Sequence, residues 1–99
     1  MDTDLSTTIL KRRETLDRVR MILVRDLGIR RELGEIDPDT PLFGTGLGLD
    51  SVDAVELVVA AETEFGLRVP DGPIARTGMR TVNTLVDLLL DLSVGDENG

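Results

Sequence analysis

Ser51 is the hydroxyl best placed for chemistry in this chain. It opens a helical pattern, directly after Asp50 and ahead of Val52-Asp53-Ala54-Val55-Glu56-Leu57. A serine there is first of all a candidate cap for the helix. As a nucleophile it has no help from its own chain. The 99 residues contain no His and no Cys, which excludes a serine–imidazole pair, a thiolate nucleophile and nearly every zinc site. Any reaction at Ser51 therefore needs activation by an outside enzyme. The position suits an attached phosphate, because the first turn of a helix presents unpaired N–H groups at the positive end of its dipole. The other polar groups are carboxylates, hydroxyls, Arg and Lys, and they form no catalytic constellation. No catalytic residue and no metal ligand is assigned, and the chain is not read as an enzyme.

Other motifs carry less. Gly44-Thr45-Gly46-Leu47-Gly48 resembles a dinucleotide loop only faintly: no strand precedes it and the third glycine comes one position early. No Gly-Lys-Ser/Thr occurs, so there is no P-loop. Asp37 and Asp39 lack calcium-loop spacing, and Pro38 and Pro41 break that geometry. Glu62 and Glu64 fall on different faces of a helix and read as solvated.

Four helical segments and one long connection position these residues. The first helix is expected from Ser6 or Thr7, either of which can cap it, to Leu27, with Leu16, Val19, Ile22, Leu23 and Leu27 inward and Gly28 as its stop. Lys11, Arg12, Arg13, Arg18, Arg20 and Arg25 lie mostly off that stripe. Residues Gly28–Leu49 form the connection, rich in turn-formers but punctuated by Ile36, Leu42, Phe43, Leu47 and Leu49. Leu42 and Phe43 are expected to pin it to the core. The second helix starts at Asp50–Ser51, with Asp50 and Asp53 as a capping pair, and ends at Phe65, where Gly66 supplies a left-handed stop and Leu67 folds back. Ile74–Met79 forms a short turn of helix. Thr81 caps the last helix, which buries Val82, Leu85, Val86, Leu89 and Leu92. No β-alternation of useful length occurs. The pattern predicts an all-α fold, a small four-helix bundle with a long first loop and a short third helix. The single domain spans 1–99, its core covers about 7–92, and the flanks 1–5 and 93–99 are expected to be flexible.

The second helix has more apolar surface than a small core needs. On a wheel of about 100° per residue, Ala54, Leu57, Val58, Ala61 and Phe65 fall within about one third of the circle, an ordinary core stripe. Val52, Val55 and Val59 occupy another arc, centred roughly 130° away. Ser51 lies at its edge, and Asp53, Glu56 and Glu62 border it. Such a face suits a docked partner, with apolar anchors for affinity and carboxylates for steering. The alternative is that the long connection covers the valines and makes this helix central.

Charge is unevenly spread. Residues 1–31 hold eight basic and five acidic side chains, whereas residues 32–99 hold three basic and fourteen acidic, for a net charge of −8. The acidic part repels nucleic acid and anionic lipid and attracts basic protein surfaces. Neither Trp nor Tyr is present to stack on bases. No apolar run approaches the roughly 20 residues of a membrane span, and the acidic start MDTDLSTTIL lacks the order of a secretory signal. A cytoplasmic monomer is expected.

Gly46-Leu47-Gly48-Leu49-Asp50-Ser51-Val52-Asp53-Ala54-Val55-Glu56-Leu57, followed by Glu62-Thr63-Glu64-Phe65-Gly66-Leu67-Arg68-Val69-Pro70, resembles the acyl carrier proteins of the phosphopantetheine-binding carrier family. The likeness extends from about Leu16 to Leu92. It implies that Ser51 receives 4′-phosphopantetheine from coenzyme A through a magnesium-dependent phosphopantetheinyl transferase. The arm would then carry acyl or aminoacyl groups as thioesters for fatty-acid, polyketide or related biosynthesis. A chain without Cys can supply that sulfur only through an added group. The resemblance also implies that Asp50 is the motif acid. It further implies that Val52, Asp53, Val55, Glu56, Val59 and Glu62 form a recognition face for basic patches on acyl-transfer, ketosynthase or ligase-type enzymes. Three features depart from the family pattern or from its housekeeping members. Val52 replaces the usual Leu, the approach Gly-Leu-Gly-Leu-Asp-Ser looks more like a carrier dedicated to one pathway, and the first helix is unusually basic. Arg76 and Arg80 lie near the third helix, where another partner surface is conceivable. Ala54 and Ala61 either leave room for an acyl chain or simply allow close helix packing. The other reading of the whole chain is a helical interaction module with no prosthetic group.

Overall fold

The computed structural model describes residues 2–70 and 72–98, with side chains set aside for residues 2–6, 74 and 94–98. Four helices follow in order: α1 (Asp2–Met21), α2 (Ser51–Phe65), α3 (Pro73–Gly78) and α4 (Val82–Asn98). A π-helical turn, Ile22–Asp26, continues α1, and a short 3-10 turn, Leu33–Glu35, interrupts the long connection. Two isolated bridges, Pro41 with Thr81 and Phe43 with Leu49, are the only β pairings among the described residues. The all-α expectation holds.

The first helix starts earlier than its candidate caps, at Asp2 rather than at Ser6 or Thr7. Nothing between Asp2 and Ser6 breaks a helix, and acidic side chains at a helix start favour the dipole. Its inward stripe includes Thr15, which the apolar pattern did not mark, while Leu16 is only half-buried. At the far end one extra residue enters the turn: the Leu27 N–H donates to the Ile22 carbonyl at 3.2 Å. Ile22 and Leu23 are buried side by side, and Leu27 is left half-buried. The last helix runs past the expected end near Leu92 to Asn98, because no proline stops it. The flanks expected to be flexible, 1–5 and 93–99, lie almost wholly outside the residues with described side chains.

The core joins all four segments. Val19, Ile22 and Leu23 meet Leu57 and Ala61 of α2 and Val82, Leu85, Val86 and Leu89 of α4. The long connection belongs to this core rather than to the surface. Ile36 and Leu42 are fully buried, and Phe43 packs against the cluster. Its backbone is bonded at several points to helix ends. The Arg20 guanidinium donates to the Ile36 carbonyl at 3.0 Å. The Asn83 and Val82 N–H groups donate to the carbonyls of Pro38 and Thr40, and the Leu42 N–H donates to the Arg80 carbonyl at 3.0 Å. The Leu49 N–H then donates to the Leu42 carbonyl at 3.0 Å, two residues before Ser51. Thr81 caps α4 as expected, its hydroxyl accepting from the Thr84 N–H at 3.1 Å.

Two arginines of α1 reach across to other helices. Arg12 pairs with Asp87 and Asn83 of α4. Arg18 pairs with Glu64 at 2.9 Å, donates to the Glu64 carbonyl at 2.7 Å and lies over the Phe65 ring at 4.3 Å. A planar guanidinium can hold several acceptors at once where an ammonium is a single point of charge. Among the described residues, no helix is long and apolar enough to cross a membrane.

Two substitutions test the connection. Leu42→Ala removes a fully buried side chain and is expected to cost about 2–5 kcal/mol. Gly46→Ala would place a Cβ 2.0 Å from the Pro41 carbonyl oxygen, a clash with backbone that is expected to cost about 2 kcal/mol or more. Urea denaturation midpoints measure both.

Candidate functional site

Helix α2 is capped as its sequence predicts. Asp50 has extended backbone, and its carboxylate accepts from the Asp53 N–H at 2.9 Å. The Asp53 carboxylate accepts from the Asp50 N–H at 3.0 Å. This reciprocal box fixes the first turn and leaves Ser51 as its first helical residue. Ser51 is exposed, and its hydroxyl has no protein partner among the described residues. The N–H groups of Ser51 and Val52 are likewise without a protein acceptor there, because the cap serves Asp53 and the Asp50 carbonyl serves Ala54. At the other end Gly66 takes φ +64° and closes the helix, and Leu67 folds back and is buried.

The two faces of α2 separate cleanly. Leu57 and Ala61 are buried, and Ala54, Val58 and Phe65 pack partly against the core. Val52, Val55 and Val59 are 66%, 64% and 55% exposed. The long connection therefore does not cover them, and the alternative of a central helix is overturned. Glu56 stands exposed beside them with no ion partner among the described residues.

The remaining acids of this helix are engaged within the fold. Asp53 is half-buried in the capping box. Glu62 is half-buried, and its carboxylate accepts from the Val69 N–H at 2.8 Å, holding the chain that leaves α2. Glu64 pairs with Arg18 and, at 3.9 Å, with Arg25. The expectation that Glu62 and Glu64 are solvated is thus corrected: helical spacing puts them on different faces, but each face meets another segment. The structure gathers Ser51, Val52, Val55, Glu56 and Val59 on one exposed strip, while the half-buried Glu62 carboxylate is bonded to the Val69 N–H.

Two features were not read from the sequence. A shallow depression next to the valines is lined by Arg25, Asp26, Val55, Glu56, Val59, Ala60, Thr63 and Glu64. Arg25 reaches it from the π turn, whose extra residue no period-3.6 pattern shows. On the other flank a groove of about 330 Å³ is lined by Phe43, Ala54, Ala75, Arg76, Met79 and Arg80. Ala54 thus opens onto space, whereas Ala61 is fully packed.

Residues 17–89 match the model of the phosphopantetheine attachment site family. The chain belongs to this family. It is 40% identical over 77 residues to an acyl carrier protein of Cyanidioschyzon merolae, covering 78% of this chain and 79% of that protein. It is 39% identical over 83 residues to an acyl carrier protein of Saccharopolyspora erythraea, covering 84% and 82% respectively. Family membership implies covalent 4′-phosphopantetheine. The residues present fit that group, since an exposed hydroxyl and two free N–H groups meet at one helix start, where a phosphodiester is favoured.

Removing the two kinds of acid should have different effects. Glu62→Ala is expected to lower stability by about 1 kcal/mol, or roughly 4–8 °C in Tm, while Glu56→Ala leaves Tm within about a degree. Thermal denaturation followed by circular dichroism measures the contrast.

Proposed function

We propose that this chain is a discrete carrier of acyl groups, with the 4′-phosphopantetheine arm attached at Ser51 and the exposed strip of α2 as the docking face for the enzymes that load and unload it. The carrying observation is the coincidence of three features on one helix. An exposed hydroxyl without a partner opens it, an apolar ridge of Val52, Val55 and Val59 adjoins that hydroxyl, and the opposite face supplies the core by itself. When attached, the arm supplies the terminal thiol that bears acyl groups as thioesters. The residues of the chain do the rest. Asp50 and Asp53 hold the first turn rigid, so the point of attachment is fixed in direction. The free N–H groups of Ser51 and Val52 face the phosphate position at the positive end of the helix. Glu56 is the carboxylate on the ridge left available to a basic partner.

Two curated relatives bearing the name acyl carrier protein, aligned over most of their length, support this reading. The partners are a phosphopantetheinyl transferase and acyl-transfer, ketosynthase or ligase-type enzymes of fatty-acid, polyketide or related biosynthesis, cytoplasmic in this reading. They present basic patches, because the acidic part of the chain steers such surfaces toward α2. An interaction module without a prosthetic group gives Ser51 no role and conflicts with the family assignment.

Incubation with coenzyme A and a broad phosphopantetheinyl transferase is expected to add one arm to the intact mass. Ser51→Ala is expected to abolish the addition; an arm that persists in Ser51→Ala overturns the assignment. Val55→Asp and Val59→Asp are each expected to lower the transferase's kcat/KM about tenfold with Tm unchanged. A kcat/KM unaffected by both would remove the ridge from the docking face.

A further inference from the structure

Ile9 and Leu10 of α1 are 59% and 61% exposed, as open as the ridge of α2, yet acyl carriage gives them no task. Ile9 opens one of two depressions that lie side by side. The first is lined by Ile9, Arg12, Arg13 and Leu16 of α1 with Pro38 and Asp39 of the connection. Leu10 neighbours Arg13, three residues further along the helix. The second depression runs between α3 and α4 and is lined by Pro73, Thr77, Asp87, Leu88 and Asp91. The ion pair of Arg12 and Asp87 stands between the two, one partner in each wall. They are therefore halves of one face, basic and apolar on the α1 side, acidic and apolar on the α4 side. No residue of α2 lines either half.

We propose that this face joins two copies of the chain about a two-fold axis. Each copy lays Ile9, Leu10 and Arg13 against the α3–α4 groove of the other, with Arg13 facing Asp91 of the second copy. A two-fold contact uses the same patch twice, so the patch must complement itself. An acidic patch cannot, because it repels its own image, and residues 32–99 carry fourteen acidic side chains against three basic ones. The basic excess lies in residues 1–31, and the fold sets part of it, Arg12 and Arg13, beside Asp87 and Asp91. With Asp39 at the far edge, the face holds two arginines against three aspartates, one negative charge from neutral in a molecule of net charge −8. Repulsion between the remaining surfaces is screened beyond about 8 Å at physiological ionic strength. The contact leaves Ser51 and the valine ridge open on both copies, so one assembly presents two hydroxyls. Such a contact belongs to the small, transient class below about 1,200 Å², and the monomer expected from the sequence describes dilute solution.

The test is sedimentation velocity on the full chain without an arm, which has no Cys and so cannot be joined by a disulfide. At about 0.15 M salt, the sedimentation coefficient is expected to rise from monomer to dimer between about 10 μM and about 1 mM protein, as for a small transient contact. Arg13→Glu and Asp91→Arg are each expected to weaken dimerisation about tenfold, since a two-fold contact contains each pair twice. The double variant Arg13→Glu, Asp91→Arg reverses both charges and is expected to return to within about threefold of the unaltered protein. Val55→Asp is expected to leave association unchanged. Circular dichroism checks that each variant is folded. A chain that stays monomeric at about 1 mM overturns the proposal. A dimer indifferent to both single reversals overturns it, as does a double variant no better than the singles. Dimerisation lost in Val55→Asp also overturns it, since the second copy would then sit on the ridge of α2. None of these outcomes depends on attachment at Ser51, so the failure of one reading leaves the other standing.

Discussion

Leu42 is the hinge-pin of the structure. It is fully buried, its N–H donates to the Arg80 carbonyl, and its carbonyl accepts from the Leu49 N–H. Through those two bonds the start of α2 is referenced to the junction of α3 and α4. A connection of this length has no periodic hydrogen bonding to define its path, so buried side chains and bonds to helix ends must do so. Ile36, held under the Arg20 guanidinium, fixes the first half, and Leu42 fixes the second. Ser51 stands where it does because the loop before it is part of the core.

From that placement the division of α2 follows. One face closes against the π turn of the first segment and the rest of the core, and the other is left to solvent. The charges divide in the same way. Arg12, Arg18 and Arg20 of α1 are engaged with acceptors of α4, α2 and the connection. Glu56 keeps its charge outward on the valine ridge.

Much of this was legible in the sequence. The caps at Asp50, Thr81 and Gly66, the two arcs of α2 and the pinning role of Leu42 all rest on local chemistry or on a strict period, and the structure has each of them. What escaped has a common cause. The start at Asp2, the π turn at Ile22–Asp26, the bond from Val69 to Glu62 and the reach of Arg18 to Glu64 depend on contacts between distant segments. A carboxylate that caps a loop and one that stands free on the surface have the same spacing in sequence. Only the position of Val69 separates Glu62 from Glu56. The groove under Arg76 and Arg80 is likewise a property of three elements meeting, with Phe43, Ala54 and Met79 each contributed by a different one.

The ridge of α2 is built from valines, and this has a bearing on how contacts made there end. A valine has one side-chain torsion, and within a helix that torsion is already restricted to a single favoured rotamer. Longer side chains would forfeit rotamer freedom each time a surface closed over them and regain it at each separation. Val52, Val55 and Val59 have almost none to forfeit. Any contact made on this ridge can therefore form and dissolve with little toll in side-chain entropy.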